Sequence, residues 1–295
     1  MGCTATHRIR ERSAENRSVM LESTTLPSVL DIELSLDSSA VSMPVVDLAE
    51  VTALYREVFE AQQVQRRLSG PRRLQRGQFE IAAEIFPVQH FSGDFVCIFD
   101  CGDSTLLALG DVAGKGLTAA MWSTHVMSLL RTSFANLRKP NLVASAINRD
   151  LCALGSGAPI TTMVLAILDW QGDELTYCNA GHFPPFIKRQ NGAVQRISAG
   201  GPALGAIPLA EFEETRVPFS PSDMFVGYSD GLIECLNGND EEFGIERLLA
   251  QARNCQSQPA STALFSMIAA AQDFAHGTPR TDDLSLLIVS GASPR

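Results

Sequence analysis

The chain has 295 residues, of which 45% are hydrophobic and 19% are charged. This composition is typical of a globular protein that buries a core, and it argues against general disorder. No apolar run approaches the roughly 20 residues of a membrane-spanning helix, and no secretory pattern opens the chain, so we predict a cytoplasmic protein. The seven cysteines have no metal-ligand spacing, which favours reduced thiols.

The negative charge is confined to one part of the chain. Residues 1–76 hold ten basic and ten acidic side chains, whereas residues 77–295 hold 13 and 23 and carry the whole net charge of −10. An acidic body makes nucleic acid an unsuitable main partner, because phosphate contacts need a basic surface. The surplus fits either an ordinary acidic surface or a site that collects carboxylates around cations.

The first part of the chain has little hydrophobic periodicity. Residues 1–45 are rich in Ser, Thr, Glu and Arg, and we predict a flexible tail there. Its start, Met1-Gly2-Cys3, formally matches an acylation pattern, which the sequence alone does not establish.

Residues 46–69 form a predicted amphipathic helix, which Gly70-Pro71 ends. Apolar residues recur there in three- and four-residue steps, as at Val51, Leu54 and Val58. Such a helix docks on its own domain or pairs with another copy, and the sequence does not decide between these. We treat 46–76 as a regulatory linker. A basic cluster at its end is expected to be a solvated face: Arg66, Arg67, Arg72, Arg73 and Arg76.

Residues 77–291 read as a mixed α/β domain. Strand-rich runs with two helix pairs favour a β-sandwich covered by helices on both faces, of the α+β class. The predicted strands are Phe79–Phe86, Phe95–Phe99, Thr105–Leu109, Thr162–Asp169, Glu174–Asn179, Pro185–Arg189, Val194–Ile197, Glu213–Pro218, Met224–Tyr228 and Leu284–Val289. The predicted helices are Leu117–Leu137, Leu142–Leu154, Ile245–Arg253 and Pro259–Ala275.

Four aspartates stand at junctions between strands and turns: Asp94, Asp111, Asp230 and Asp282. One such residue usually serves its own turn, but four at the ends of different strands suggest a shared site. Converging carboxylates repel unless cations neutralise them, and oxygen ligands without His or Cys point to Mg²⁺ or Mn²⁺.

These aspartates belong to a series of motifs that resembles the PPM family of metal-dependent serine/threonine protein phosphatases, in its bacterial SpoIIE-like (RsbU-type) branch. The resemblance runs from about Gln65 to Ile288, and its motifs stand in the family's order. They are Gly93-Asp94-Phe95, Gly110-Asp111-Val112-Ala113-Gly114-Lys115-Gly116, Asn179-Ala180-Gly181-His182, Gly201-Pro202-Ala203-Leu204-Gly205, Tyr228-Ser229-Asp230-Gly231 and Asp282-Asp283-Leu284-Ser285.

The resemblance implies a four-layer αββα sandwich, in which two antiparallel sheets are flanked by helix pairs, and a site for two Mn²⁺ or Mg²⁺ ions. The resemblance implies that Asp111 bridges both ions and that the Val112 carbonyl binds one of them. It implies that Asp94 binds the same pair, directly or through water, and that Asp230 and Asp282 hold the other ion. Asp283 is expected to serve the turn. Water activated by the two ions would then attack phosphoserine or phosphothreonine directly.

Some positions depart from the eukaryotic relatives. Those carry a His two residues after the bridging Asp, where this chain has Ala113, so the leaving-group proton donor is unassigned. Lys115 either helps to bind phosphate or is merely exposed. We expect His182 to be structural or to face the substrate.

The sequence therefore predicts a protein phosphatase, and the resemblance implies a STAS-type anti-sigma-factor antagonist as substrate in bacterial partner-switching signalling. Helix 46–69 is expected to receive a signal by self-association or from an activator protein. The alternative is a pseudophosphatase, a binding module that keeps the fold and sequesters a phosphoprotein.

Overall fold

The computed structural model describes residues 47–170, 173–255 and 257–291. The predicted tail and its acylation pattern lie outside these residues. Over the described residues the chain forms six α-helices: α1 (Leu48–Leu68), α2 (Gly116–Leu137), α3 (Pro140–Ala153), α4 (Asp230–Ile233), α5 (Gly244–Asn254) and α6 (Ala260–Ala275). None of them is long and apolar enough to cross a membrane.

The same residues form twelve strands, arranged in two sheets. They are β1 (Arg73–Arg76), β2 (Phe79–Phe86), β3 (Phe95–Asp100), β4 (Ser104–Val112), β5 (Thr161–Asp169), β6 (Glu174–Ala180), β7 (Phe186–Lys188), β8 (Val194–Arg196), β9 (Gly200–Gly201), β10 (Thr215–Pro218), β11 (Met224–Tyr228) and β12 (Leu284–Gly291).

The first sheet has the order β1-β2-β12-β11-β7-β8, and the second has the order β10-β6-β5-β4-β3. All of these neighbours are antiparallel, and only the two-residue β9 pairs in parallel, with β6. The predicted α+β class and four-layer αββα sandwich are confirmed, with this one parallel pair as an addition.

Three hydrophobic layers hold the sandwich together, and β4 shows how one strand serves two of them. Leu107 and Leu109 face the core between the two sheets, whereas Leu106 and Ala108 face α2 and α3. Because both faces of β4 are buried, the strand is a continuous apolar run and does not alternate with polar residues. On the opposite side of the molecule, α5 and α6 cover the first sheet.

The segment after α1 differs from the prediction. Arg73–Arg76 is a strand that pairs with β2, although it was expected to belong to a linker with a solvated basic face. The polar sequence of this edge strand shows no strand pattern, because only Leu74 packs against the core between the sheets. The solvated-face prediction is wrong for Arg72, which is half-buried and whose Nη1 atom has no hydrogen-bond partner among the described residues. The proposed domain limits at residues 45 and 76 stay predictions.

Candidate metal centre

Strand pairing brings two of the predicted site residues together at one end of the second sheet. Asp94 immediately precedes β3 and Asp111 lies near the end of β4. Since Phe95 pairs with Gly110 in the antiparallel register of these strands, the two carboxylates lie side by side.

The first sheet supplies the other pair in the same way. Asp230 follows the end of β11, and Asp282 precedes the start of β12. These strands are antiparallel neighbours, with Tyr228 paired to Leu286, so both aspartates lie at the same end of the strand pair. The negative charges of Asp230 and Asp282 act on Asp111, which places all four carboxylates in one acidic cluster.

Within each sheet, a glycine allows two of the loops that carry the acidic residues to approach closely. A Cβ atom on Gly93 would be 2.9 Å from the carbonyl oxygen of Val112 and 3.1 Å from Oδ1 of Asp111. A Cβ atom on Gly231 would be only 2.0 Å from the carbonyl oxygen of Asp283. Any larger residue at these positions would therefore push the acidic loops apart. The Val112 carbonyl lies beside the Asp94 loop, and its role as a metal ligand stays a prediction.

The carboxylates of the cluster resist simultaneous ionisation. Burial, with the charges of Asp230 and Asp282 adding to it, raises the pKa of Asp111 to about 6. Burial and then the charge of Asp111 raise the pKa of Asp94 well above its usual value. Burial also raises the pKa of Asp230. The hydrogen bond that the Gly231 N–H donates to its Oδ1 at 2.8 Å lowers this pKa, but by less than burial raises it. The cluster is thus short of positive charge at neutral pH.

The donor chemistry of the cluster fits hard divalent cations. All of its side-chain donors are carboxylate oxygens, and Oδ2 of Asp94 is buried with no hydrogen-bond partner among the described residues. The nearby cation is Lys115, whose Nζ lies 3.0 Å from Oδ2 of Asp282 and 2.9 Å from the Thr281 carbonyl. Within the described part of the chain, no three acidic, His or Cys side chains already enclose a single ion position. Ion binding would therefore require some of these carboxylates to move closer together.

Asp283 has a role that the sequence prediction understated. Its Oδ1 accepts a hydrogen bond from the Val88 N–H at 2.8 Å. Its Oδ2 accepts from the Ser92 hydroxyl at 2.7 Å and from the Gly93 N–H at 3.2 Å. Asp283 was expected to serve its own turn, but it ties the start of β12 to the loop that carries Asp94. No sequence pattern signals this contact, because the partners are about 190 residues apart.

Helix α1 also contacts the loop that carries Asp94. The side-chain nitrogen of Gln65 donates to the Ser92 carbonyl at 2.8 Å and to the Ser123 hydroxyl of α2 at 3.0 Å. Gln62, one turn earlier, donates to the His90 carbonyl. Gln65 therefore links α1 to α2 and to the loop that carries Asp94.

His182 is structural in this fold, which agrees with one of its two predicted roles. Its ring Nδ1 lies 2.9 Å from the Thr162 hydroxyl, and its backbone N–H donates to Oδ1 of Asn179 at 2.8 Å. Burial lowers the pKa of the imidazole to about 4, so the ring is neutral at physiological pH.

Comparison with known proteins identifies the family of this arrangement. Residues 102–291, more than half of the chain, match the family model described as Stage II sporulation protein E (SpoIIE). The chain is 31% identical over 200 residues to Protein IcfG of Synechocystis sp., an alignment that covers 58% of this chain but only 32% of IcfG. It is 26% identical over 240 residues to phosphoserine phosphatase RsbU of Bacillus subtilis, covering 79% of this chain and 69% of RsbU.

Solved structures show the same fold at lower sequence identity. The SiaA-PP2C domain of Pseudomonas aeruginosa matches with a TM-score of 0.70 at 18% identity, covering 81% of this chain and 98% of that domain. The catalytic domain of the serine threonine protein phosphatase PstP, in complex with two manganese ions, matches with a TM-score of 0.53 at 16% identity, covering 73% and 99%.

The substitution Asp111→Asn tests the electrostatics of the cluster. Because the folded-state pKa of Asp111 is raised, its ionisation destabilises the wild type as pH rises from about 4 through about 6. In EDTA at pH 7 we expect Asp111→Asn to raise the unfolding free energy by roughly 1 kcal/mol. We also expect Mn²⁺ to raise the melting temperature of the wild type and not that of the variant.

Thermal unfolding between pH 4 and pH 8, with and without Mn²⁺, measures both effects. The control is Asp150→Asn on the exposed surface of α3, which should behave as the wild type. A wild type whose stability is indifferent to Mn²⁺, or a variant less stable in EDTA, would contradict this description of the cluster.

The substitution Ser92→Ala tests the connection to Asp283. It removes one buried hydrogen bond to a carboxylate without changing the charge of the cluster. We expect a loss of about 1 to 2 kcal/mol in unfolding free energy, measured by urea denaturation. Ser198→Ala, at an exposed position, should change it by less than about 0.5 kcal/mol, and an equal effect of the two variants would refute the connection.

Proposed function

The chain belongs to the SpoIIE family of PP2C-type protein phosphatases, and from that premise we propose that it hydrolyses phosphoserine and phosphothreonine in a protein substrate with the help of bound divalent cations. The observation that carries the proposal is the convergence of acidic loops from both sheets on one cluster. Such a cluster is costly to maintain unless cations neutralise it. The similarity to RsbU, which is named a phosphoserine phosphatase, agrees with this reaction.

Two Mn²⁺ or Mg²⁺ ions suit the arrangement. Asp111, at the centre of the cluster, would contact both of them, with Asp94 and the Val112 carbonyl beside it and with Asp230 and Asp282 across from it. Support comes from the two manganese ions in the PstP complex and from the unpartnered Oδ2 of Asp94. When bound, such ions lower the pKa of water and offset the charge of a phosphoryl group.

The chain's own groups near the cluster favour an anionic substrate. Helix α2 begins at Gly116, directly after the Asp111 turn, and its first N–H groups have no side-chain cap. A helix start of this kind attracts phosphate through its free N–H groups and dipole. Lys115 occupies the N-cap position of the same helix without capping it through its side chain, and it is exposed, so its ammonium group could reach a phosphate bound there. The methyl side chain of Ala113 cannot donate a proton to the leaving group, and we assign that donation to water.

We assign the substrate to the STAS type of anti-sigma-factor antagonist, in a cytoplasmic partner-switching pathway. The assignment draws on the similarity to RsbU and on the family. The second candidate is a binding module that sequesters a phosphoprotein without hydrolysing it. The observation in its favour is the ion pair of Lys115 with Asp282, which supplies the cluster with a cation from within the chain.

Helix α1 is proposed to receive the regulating signal. None of its residues is buried, and its exposed apolar side chains include Leu54, Tyr55 and Phe59, at 61%, 59% and 59% exposure. Such a surface suits packing against another helix, from a second copy of the chain or from an activator protein. The bond from Gln65 to the Ser92 carbonyl would carry the effect of packing to the Asp94 loop.

Phosphate release from a phosphorylated STAS-type protein tests the activity. We expect release in Mn²⁺ and none in EDTA, and a loss of at least about 100-fold in kcat/KM for Asp230→Asn. Asp150→Asn should retain wild-type activity. Saturable binding of the phosphoprotein by Mn²⁺-loaded wild type, without any release, would favour the binding module instead.

The double substitution Leu54→Asp with Val64→Asp, two exposed apolar positions outside the cleft beside α1, tests the role of α1. We expect it to reduce self-association or activator binding, measured by sedimentation velocity, and to change the activity in Mn²⁺. The matched control is Arg56→Gln, which lies between these positions on the exposed surface. Unchanged association and unchanged activity in the double variant would remove α1 from the regulation.

A further inference from the structure

A cleft of about 380 Å³ lies between α1 and the chain segment that connects β2 to β3. Phe59, Gln62 and Arg66 line it from α1, and Phe86 and Pro87 line it from the other side. Its volume is within the range of about 300 to 1,000 Å³ that small-molecule sites occupy. The lining also includes Asp94 of the acidic cluster, so the cleft adjoins the candidate metal centre.

Arginines give this cleft its character. Arg66, Arg72 and Arg280 line it, against the two carboxylates of Glu84 and Asp94. The guanidinium of Arg280 already donates two hydrogen bonds within the chain, to the carbonyl oxygens of Phe86 at 2.6 Å and Pro87 at 3.3 Å. Asp94 belongs to the acidic cluster, so Glu84 is the one carboxylate of the lining that is left to balance Arg66 and Arg72.

Arg72 is the cation of the cleft that has an unpartnered, buried hydrogen-bond donor. It is half-buried, and its Nη1 has no hydrogen-bond partner among the described residues. Burial lowers its pKa, the nearby charge of Arg66 lowers it further, and the attraction of Glu84 opposes both. A guanidinium in these surroundings gains most from an anion that binds it directly, since a charged hydrogen bond is about twice as strong as a neutral one.

We propose that this cleft binds a small organic anion, whose phosphate or carboxylate group lies between Arg66 and Arg72 and whose body packs on Phe59, Phe86 and Pro87. Planar guanidinium groups match both kinds of anionic group through paired hydrogen bonds. The aromatic rings and Pro87 offer apolar surface to the rest of the ligand. The size of the cleft favours a free small molecule over a protein segment.

The bound anion has a consequence for the acidic cluster. Arg66 lies on α1, next to Gln65, which donates to the Ser92 carbonyl. An anion held by Arg66 and Arg72 joins α1 to the domain at the level of the Asp94 loop. Its binding and the docking of α1 therefore stabilise each other, as linkage requires.

Isothermal titration of the full chain, freed of divalent cations with a chelating resin and kept in chelator-free buffer at 0.15 M salt, tests the site, with pyrophosphate as the phosphate probe and citrate as the carboxylate probe. Without divalent cations, the acidic cluster cannot capture either anion. We expect saturable binding of at least one probe, with affinity reduced at least 10-fold in Arg66→Gln and in Arg72→Gln. Arg67→Gln, an exposed position of α1 outside the lining, should bind as the wild type.

Two further measurements distinguish a lost site from a lost fold. Arg72→Lys keeps the charge and should bind more tightly than Arg72→Gln, while all variants should keep the wild-type circular dichroism spectrum. The bound probe should also slow amide hydrogen exchange in residues 88–93 of the wild type. Absence of saturable binding of both probes up to 10 mM, or binding that Arg72→Gln leaves unchanged, overturns the proposal. Because no measurement uses phosphatase activity, this failure would leave the proposed function standing.

Discussion

The repulsion between carboxylates at the neighbouring strand ends of the two sheets is the constraint on which the rest of this structure depends. Asp94 and Asp111 meet because β3 pairs with β4, and Asp230 and Asp282 meet because β11 pairs with β12. The core between the sheets holds the two pairs against each other, so neither pair can move away without opening the sandwich. Burial raises the pKa of Asp111 and Asp94 as a result. The fold thus holds an unfavourable electrostatic repulsion at the place where bound cations would relieve it and could then attract a phosphoryl group.

Positive charge and hydrogen bonds from elsewhere in the chain moderate this repulsion. Lys115 pairs with Asp282, and Asp283 uses its own carboxylate to hold the Ser92–Gly93 turn. The loop that carries Asp94 is therefore tied to β12, to α2 through Ser123 and to α1 through Gln65. A signal that moves α1 would reach Asp94 through one hydrogen-bonded residue, without any change in the sheets. This arrangement is what the regulatory role proposed for α1 would require.

Much of the fold could be predicted from the sequence, because its core elements have strong local patterns. The long apolar runs of β2 and β11 gave their limits correctly, and α2 begins one residue before the predicted Leu117. The polar edge strand β1 was missed because it contributes only Leu74 to the core, and α4 was missed because four residues show no periodicity.

The site itself could be predicted only in part. The four aspartates were found from their motifs and from the family resemblance. Asp283, Gln65 and Arg72 act through partners that lie far away in the sequence or across a cleft. Their roles therefore could not be predicted from residue spacing along the chain.

An anomalous-scattering crystal structure of the Mn²⁺-soaked protein tests the central claim most directly. If the strand ends of the two sheets form a cation site, the anomalous difference map will show manganese between Asp111 and the pair of Asp230 and Asp282. A map without manganese in this cluster, or with manganese bound only elsewhere on the acidic surface, would contradict it.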